Sequence, residues 1–448
     1  MTPSSGDTAW VLTSAALVLL MTPGLALFYG GMVRAKSVLN MMMMSFGALG
    51  LISVLWVLYG YTLAFGNDVG GGLIGNLDFA GLSGLLTADP LGGVAGEAAG
   101  IPPLAFVGFQ AVFAIITVAL ISGAIADRAR FGSWLVFAGV WATLVYFPVA
   151  HWVFAFDGYT AEMGGWIAND LEAVDFAGGT AVHINAGAAG LALALVLGKR
   201  VGFGKEPIRP HNLTLVMIGA GLLWFGWFGF NAGSALGAGN TASVAWVNTL
   251  VATAAASLSW IATERVRDGH ATSLGAASGV VAGLVAITPA CAAVNPVGAI
   301  LVGAVAGALC ALAVGLKYRF GYDDSLDVVG VHLVGGVVGT LLVGVLATSK
   351  APAGVDGLLY GGGVDQLWRQ AVAAGAVAVF SFVLAYLIAV GIQRSIGFRL
   401  DEETEVTGVD LATHAESAYE LGSVSGTGYR PSPAAKATTT TTKERVQA

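Results

Sequence analysis

Stretches of about twenty predominantly apolar residues recur eleven times along the chain, at 9–30, 41–66, 101–122, 132–153, 178–198, 212–230, 241–262, 272–290, 297–317, 328–348 and 365–394. Each is about as long as an α-helix needs to cross a bilayer, roughly 20 residues. The charged residues between them sort by loop. Arg34, Lys36, Arg128, Arg130, Lys199, Arg200, Lys205, Arg209, Arg265, Arg267, Lys317 and Arg319 fall in alternate loops, and the intervening loops hold only Lys350 and Arg369. Lys and Arg concentrate on the cytoplasmic side of membrane proteins. The pattern therefore predicts an N-terminus outside, a C-terminus inside, and longer outward loops at 67–100 and 154–177.

The first ten predicted helices divide as five plus five. An odd number per half inverts the second half relative to the first. His183, in the fifth helix, and His332, in the tenth, then occupy matching places. Inverted repeats of this kind place their site near the midplane, where the halves meet. The predicted fold is an all-α polytopic membrane protein with a 5+5 inverted repeat and a final helix. Residues 1–394 form its membrane domain, and 395–448 form a cytoplasmic tail expected to be disordered after about 430.

Composition agrees with a membrane protein. The chain is 56% hydrophobic and 10% charged, where soluble domains carry about 25% charged residues. Its 65 glycines show no collagen period, which points to close helix–helix approach in a bundle. The formal charge of −7 comes with no basic patch to track phosphates, so nucleic-acid binding is not indicated. Two cysteines, Cys291 and Cys310, are too few for a disulfide framework. The N-terminus lacks a basic n-region and is read as a first spanning helix rather than a cleaved signal.

An ionisable residue at bilayer depth is costly and by default marks a site or a pathway. His183 and His332 are the outstanding cases, and a facing imidazole pair can pass a hydrogen bond or a proton without a fixed charge. Two unrelated histidines bonded to carbonyls are the alternative. Catalytic zinc usually needs three protein ligands, and no carboxylate lies one turn from either histidine, so no metal or other cofactor is implied. Asp175, eight before His183, reads as an N-cap that also adds negative potential at an outer vestibule. Asp327, five before His332, is expected to mirror it on the inner side. Phe113 lies near the polar Gln110, and Phe230, Asn231 and Ser234 lie where an apolar helix breaks into a turn. An aromatic ring with a hydroxyl can hold a small cation.

Taken together, DFAGGTAVHINAG (175–187), GWFGFNAGSA (226–235), DVVGVHLVGG (327–336), GKRVGFGKE (198–206), PHNL (210–213) and GVDLATHAESAYE (408–420) resemble the ammonium transporter family (Amt/Mep/Rh), in its bacterial Amt branch. The resemblance implies a homotrimer in the plasma membrane, each subunit with its own pore for ammonium or ammonia. It implies an outer cation site using Phe113 and Ser234 with Asp175 nearby, a gate of stacked Phe113 and Phe230, and His183 and His332 as the twin histidines of the lumen. It also implies a tail pattern, here Gly408, Asp410, His414, Glu416 and Tyr419, that meets a P-II-type signalling protein. One position departs from the family. The outer-site tryptophan is replaced by Phe154, with Trp152 two residues earlier and Trp166 in an apparent insertion. Either Phe154 takes the role with a weaker quadrupole or Trp166 folds back to supply it, and Trp, the better cation–π partner, favours the second. Rival readings are an ammonium sensor with little flux, an intramembrane metalloenzyme, and a conductor of another small neutral molecule.

Overall fold

Ten helices long and apolar enough to cross a membrane are present in the computed structural model, which describes residues 2–92 and 100–419. In chain order they are α1 (Ser5–Met32), α2 (Ala35–Phe65), α3 (Pro103–Ile125), α4 (Phe131–Phe154), α5 (Gly179–Leu197), α6 (Leu213–Gly233), α7 (Asn240–Asp268), α9 (Pro296–Phe320), α10 (Val329–Leu346) and α11 (Asp365–Ser395). The remaining expected segment, 272–290, is helical only as α8 (Ser273–Ile287). Its apolar run continues past Ile287, but Thr288 caps it and Pro289, two residues on, cannot extend a regular helix. The chain turns there, and the Pro289 carbonyl accepts from the Phe176 amide just ahead of α5. The described residues contain no strand. The disorder expected after about residue 430 lies outside the described residues.

Glycine sets how closely the helices meet. Along α6, Gly219, Gly226, Gly229 and Gly233 face Phe28, Met21, Leu17 and Ser14 of α1 in turn, so the two helices run antiparallel. A Cβ on any of these glycines would lie 2.3–2.6 Å from an α1 atom. Helices α5 and α10 also run antiparallel. At the C-terminal end of α5, the Arg200 guanidinium grips Asp323, just ahead of α10, with two bonds of 2.9 Å. Burial opposes ionisation of Asp323, but its bonds to Arg200 and the charges of Arg200 and Arg128 outweigh that and hold the carboxyl below its usual range.

Where α5 and α10 cross, the contacts repeat. Gly187, four residues after His183, abuts Leu333, and Gly336, four residues after His332, abuts Ile184. A Cβ on Gly187 would sit 2.4 Å from the Leu333 amide nitrogen, a backbone atom that cannot rotate away. Gly187→Ala is therefore expected to destabilise the fold by about 1–3 kcal/mol. A lowered thermal midpoint of the purified protein in detergent would register it, and an unchanged midpoint would show that the crossing can spread without cost.

Candidate functional site

Both histidines sit in π-helical turns, Gly179–Ile184 in α5 and Val329–Leu333 in α10. Such turns insert one residue into the helical register and are frequent at functional sites. The rings meet across the crossing. His332 Nδ1 lies 3.3 Å from His183 Nδ1, so one donates and the other accepts, and the ring planes are 21° apart. Both residues are buried. His183 Nε2 is buried without a hydrogen-bond partner in the protein. The two imidazoles line one cavity with Met21, Ile116, Leu223 and Phe230, a lining that is otherwise apolar.

Above the pair, rings are layered. Trp227 stacks on His183 at 5.3 Å and is fixed by its Nε1, which donates to Thr288 Oγ1 at 2.8 Å. Phe113 and Phe230 stack with centroids 4.1 Å apart and planes at 25°. Phe109, one turn before Phe113, packs against it at 4.9 Å and also reaches Gly233. Ser234 caps the C-terminus of α6, and its hydroxyl donates to the Phe230 carbonyl at 2.8 Å. The structure thus brings Phe113, Phe230, Ser234 and His183 together.

Each histidine helix begins under a carboxylate. Asp175 Oδ1 accepts from the amides of Gly178 and Gly179 at 2.8 and 2.6 Å. Its Oδ2 accepts from the Thr180 and Ala181 amides and from the Thr180 hydroxyl. The N-cap expected there is present, and protein donors occupy both oxygens. Its counterpart on α10 is not Asp327. Asp324 Oδ1 accepts from Val328 at 3.1 Å and Oδ2 from Val329 at 2.7 Å. Asp327 has φ +63° and instead pairs with Lys317 at 2.6 Å. Asp324 stands eight residues before His332, as Asp175 stands eight before His183. Burial, then the neighbouring Asp327 charge, raise the Asp324 carboxyl to about 6, with Lys317 opposing.

Residues 9–419 match the family model described as Ammonium Transporter Family. The chain belongs to the ammonium transporter family. It is 62% identical over 445 residues to an ammonium transporter of Mycobacterium bovis, covering 96% of this chain and 93% of that one. It is 47% identical over 418 residues to an ammonium transporter of Bacillus subtilis, covering 93% and 98%. Among solved structures it is similar to one titled Sensor Amt Protein, with TM-score 0.82, 28% identity and coverage of 91% and 98%. It is also similar to the crystal structure of Saccharomyces cerevisiae Mep2, with TM-score 0.78, 33% identity and coverage of 90% and 88%.

In this ammonium transporter family member the other candidate aromatics, Trp152, Phe154 and Trp166, divide. Trp166 opens a short helix, Trp166–Asn169, with its amide donating to the Gly72 carbonyl and its ring 5.8 Å from Trp152. Trp152 packs in turn on Phe380 at 4.6 Å, with the ring planes tilted by 50°. Phe154 is buried at the end of α4, with its ring beside Gly178 at the head of α5. The ring packed directly on the Phe113–Phe230 pair from this side is Phe109, which sequence reasoning missed. Its spacing of one turn from Phe113 was the available signal.

The tail residues also find places. Helices α12 (Glu402–Thr407) and α13 (Val409–His414) follow α11. Gly408, at φ +142°, packs on Lys36. The Asp410 carboxylate accepts from the amides of Leu39 and Asn40 at 3.0 and 2.8 Å. His414 Nε2 lies 3.1 Å from the Asn40 side-chain oxygen. Glu416 is exposed, and Tyr419 is the last described residue.

Proposed function

We propose that this protein carries ammonium across the plasma membrane by recognising NH4+ at the Asp175 end, deprotonating it, and passing ammonia through the cavity lined by His183 and His332. The observation that carries the reading is the pair itself: two imidazoles bonded to each other in an otherwise apolar cavity, with His183 Nε2 unpaired. The Lys and Arg bias of the alternate loops supports a reading with the Asp323 end inside and the Asp175 end outside.

The selectivity problem is to separate NH4+ from K+, which is of similar size. A bare cation in a low-dielectric passage costs many kcal/mol, and an ionisable one sheds its proton instead. Ammonium has that option and potassium does not. Ser234 and the outer rings recognise the cation, with Phe109 or the Trp152–Trp166 group supplying the π face. The Phe113–Phe230 stack forces dehydration and deprotonation. Neutral ammonia then moves by hydrogen bonds to the imidazoles, which can also relay the released proton. Three copies, each with its own passage, and a P-II-type protein docking at the tail complete the reading.

Charge movement across proteoliposomes after an ammonium jump, with potassium as control, tests it. A transient with ammonium and none with potassium is expected. A current of equal size with potassium would end the deprotonation scheme. The likeness to a structure titled Sensor Amt Protein keeps a low-flux sensor as the second reading. Silence in both charge movement and lumenal alkalinisation would favour it.

A further inference from the structure

Outside the histidine passage there is a third buried histidine with an unusual set of partners. His151 lies in α4, three residues before Phe154, and is fully buried. Its Nδ1 is 3.0 Å from the Ala64 carbonyl oxygen, and its Nε2 is 3.3 Å from Asp68 Oδ1. A carbonyl only accepts, so Nδ1 carries a proton. Asp68 also receives backbone donors, from Gly70 at 3.1 Å and Ile74 at 3.4 Å, which favour its ionised, acceptor-only form. Nε2 must then carry a proton as well. Both ring nitrogens face acceptors, a pattern that only the doubly protonated ring satisfies.

We infer that His151 is held as an imidazolium by Asp68, and that this ion pair is a positioning latch for the outer aromatic residues. The loop that Asp68 organises, 67–76, holds those residues through its backbone. The Leu73 carbonyl accepts from Trp152 Nε1 at 2.8 Å, and the Gly72 carbonyl accepts from the Trp166 amide at 3.1 Å. The Asp68 amide itself donates to the Met163 carbonyl, and Asn67 Oδ1 accepts from the Met163 amide at 2.8 Å. The pair therefore ties the loops on either side of α4 to one face of the recognition site. Neither His151 nor Asp68 touches the transported species in this scheme.

Burial opposes the charged ring, and the Ala64 carbonyl and the Asp68 carboxylate counter it, Asp68 being the charged group whose field reaches the ring. Ionisable residues on the other elements packed against α4 are engaged elsewhere. Tyr59 of α2 bonds to Thr143, and Tyr61 meets Trp56 edge-on and packs at a tilt on Phe65. Asp175 caps α5, His183 bonds to His332, and Arg369 of α11 pairs with Glu172. Raising the external pH removes the Nε2 proton to bulk water. A lone pair then faces the Asp68 carboxylate, the contact turns repulsive, and loop 67–76 loosens.

The inference rests on the ammonium reading only for its effect on transport, so the test has readouts that do not depend on it. Full-length protein with 15N-labelled histidine in lipid bilayers is compared with Asp68→Asn and His151→Phe. Solid-state NMR should show one imidazole protonated at both nitrogens at neutral pH, absent in His151→Phe and converted to the neutral ring in Asp68→Asn. Amide exchange across 67–76 should quicken by about tenfold in Asp68→Asn, the scale for losing one charged hydrogen-bond partner. The KM for ammonium should rise in Asp68→Asn with kcat less affected, and its rise with external pH should flatten relative to wild type. A neutral His151 in the wild-type protein overturns the inference. So does Asp68→Asn with unchanged exchange and unchanged KM. If His151→Phe does not fold, Asp68→Asn and the exchange data still decide. Absence of ammonium flux in the wild type would sink the proposed function, while the NMR and exchange measurements would still decide whether the latch exists.

Discussion

Replacing His183 and His332 together by alanine is expected to cut ammonium-driven charge movement by at least about tenfold and to leave no selective conduction. The reasoning is local. Each imidazole is buried, the two are bonded at 3.3 Å, and the rest of the lining shared with Phe230 and Trp227 is apolar. In the proposed scheme, ammonia crossing this space has the two rings as its polar partners, and losing a buried hydrogen bond costs about 1–3 kcal/mol, or about five- to 150-fold in rate at each position. The rings also fill volume under Trp227 and Phe230. Their removal leaves a space that water can enter, which weakens the barrier to potassium. Proteoliposome currents for both ions check this. A double variant that kept the wild-type rate and its discrimination against potassium would show that the pair is only structural.

How much of this could be read from the chain varies by residue. The helices were legible because bilayer-length apolar runs are the strongest signal a sequence carries, and the histidines stood out because ionisable groups are rare in such runs. The helix ends were less legible. Pro289 lies in a continuous apolar stretch, and only its missing amide proton and fixed φ shorten α8. Asp324 is easily passed over for Asp327, which lies closer to His332 but in the wrong register. The shared eight-residue offset from Asp175 to His183 and from Asp324 to His332 is present in the numbering. Lys317 could not be assigned to Asp327 without the fold, since its side chain arrives from α9. The partners of Trp166 were likewise invisible, because Gly72 and Trp152 approach it from distant segments. The His151–Asp68 pair had no local signature, for the same reason.

Acidifying the Asp324 face through about pH 6 should lower transport while raising the stability of the folded protein. The two readouts move oppositely because one carboxyl serves both. Asp324 is fully buried, and burial with the nearby Asp327 charge raises it to about 6 from its ordinary 3.8. A carboxyl raised on folding binds more protons in the folded than in the unfolded state between those values. Its contribution to stability is complete below about 3.8, declines as pH rises through the interval, and is gone above about 6. A two-unit shift corresponds to at most about 3 kcal/mol. The cap works in the other direction. As a carboxylate Asp324 accepts from Val328 and Val329 and so fixes the first turn of the helix that carries His332. Protonation converts one acceptor into a donor facing an amide, and that turn loosens. Asp324→Asn reproduces the protonated geometry at every pH. Its transport should be low throughout, with the step near pH 6 removed and the thermal midpoint at neutral pH equal to or above wild type. Asp175→Asn has no such compensation. Its amide nitrogen would face backbone donors at either oxygen position, from Gly178 and Gly179 or from Thr180 and Ala181. It should lose both transport and about 1–2 kcal/mol of stability, the scale of a lost N-cap. Thermal midpoints and proteoliposome currents across pH 4.5–7.5 distinguish the cases, where the chosen window brackets about 6. A wild-type current flat across that window would show that the Asp324 cap does not govern the position of His332.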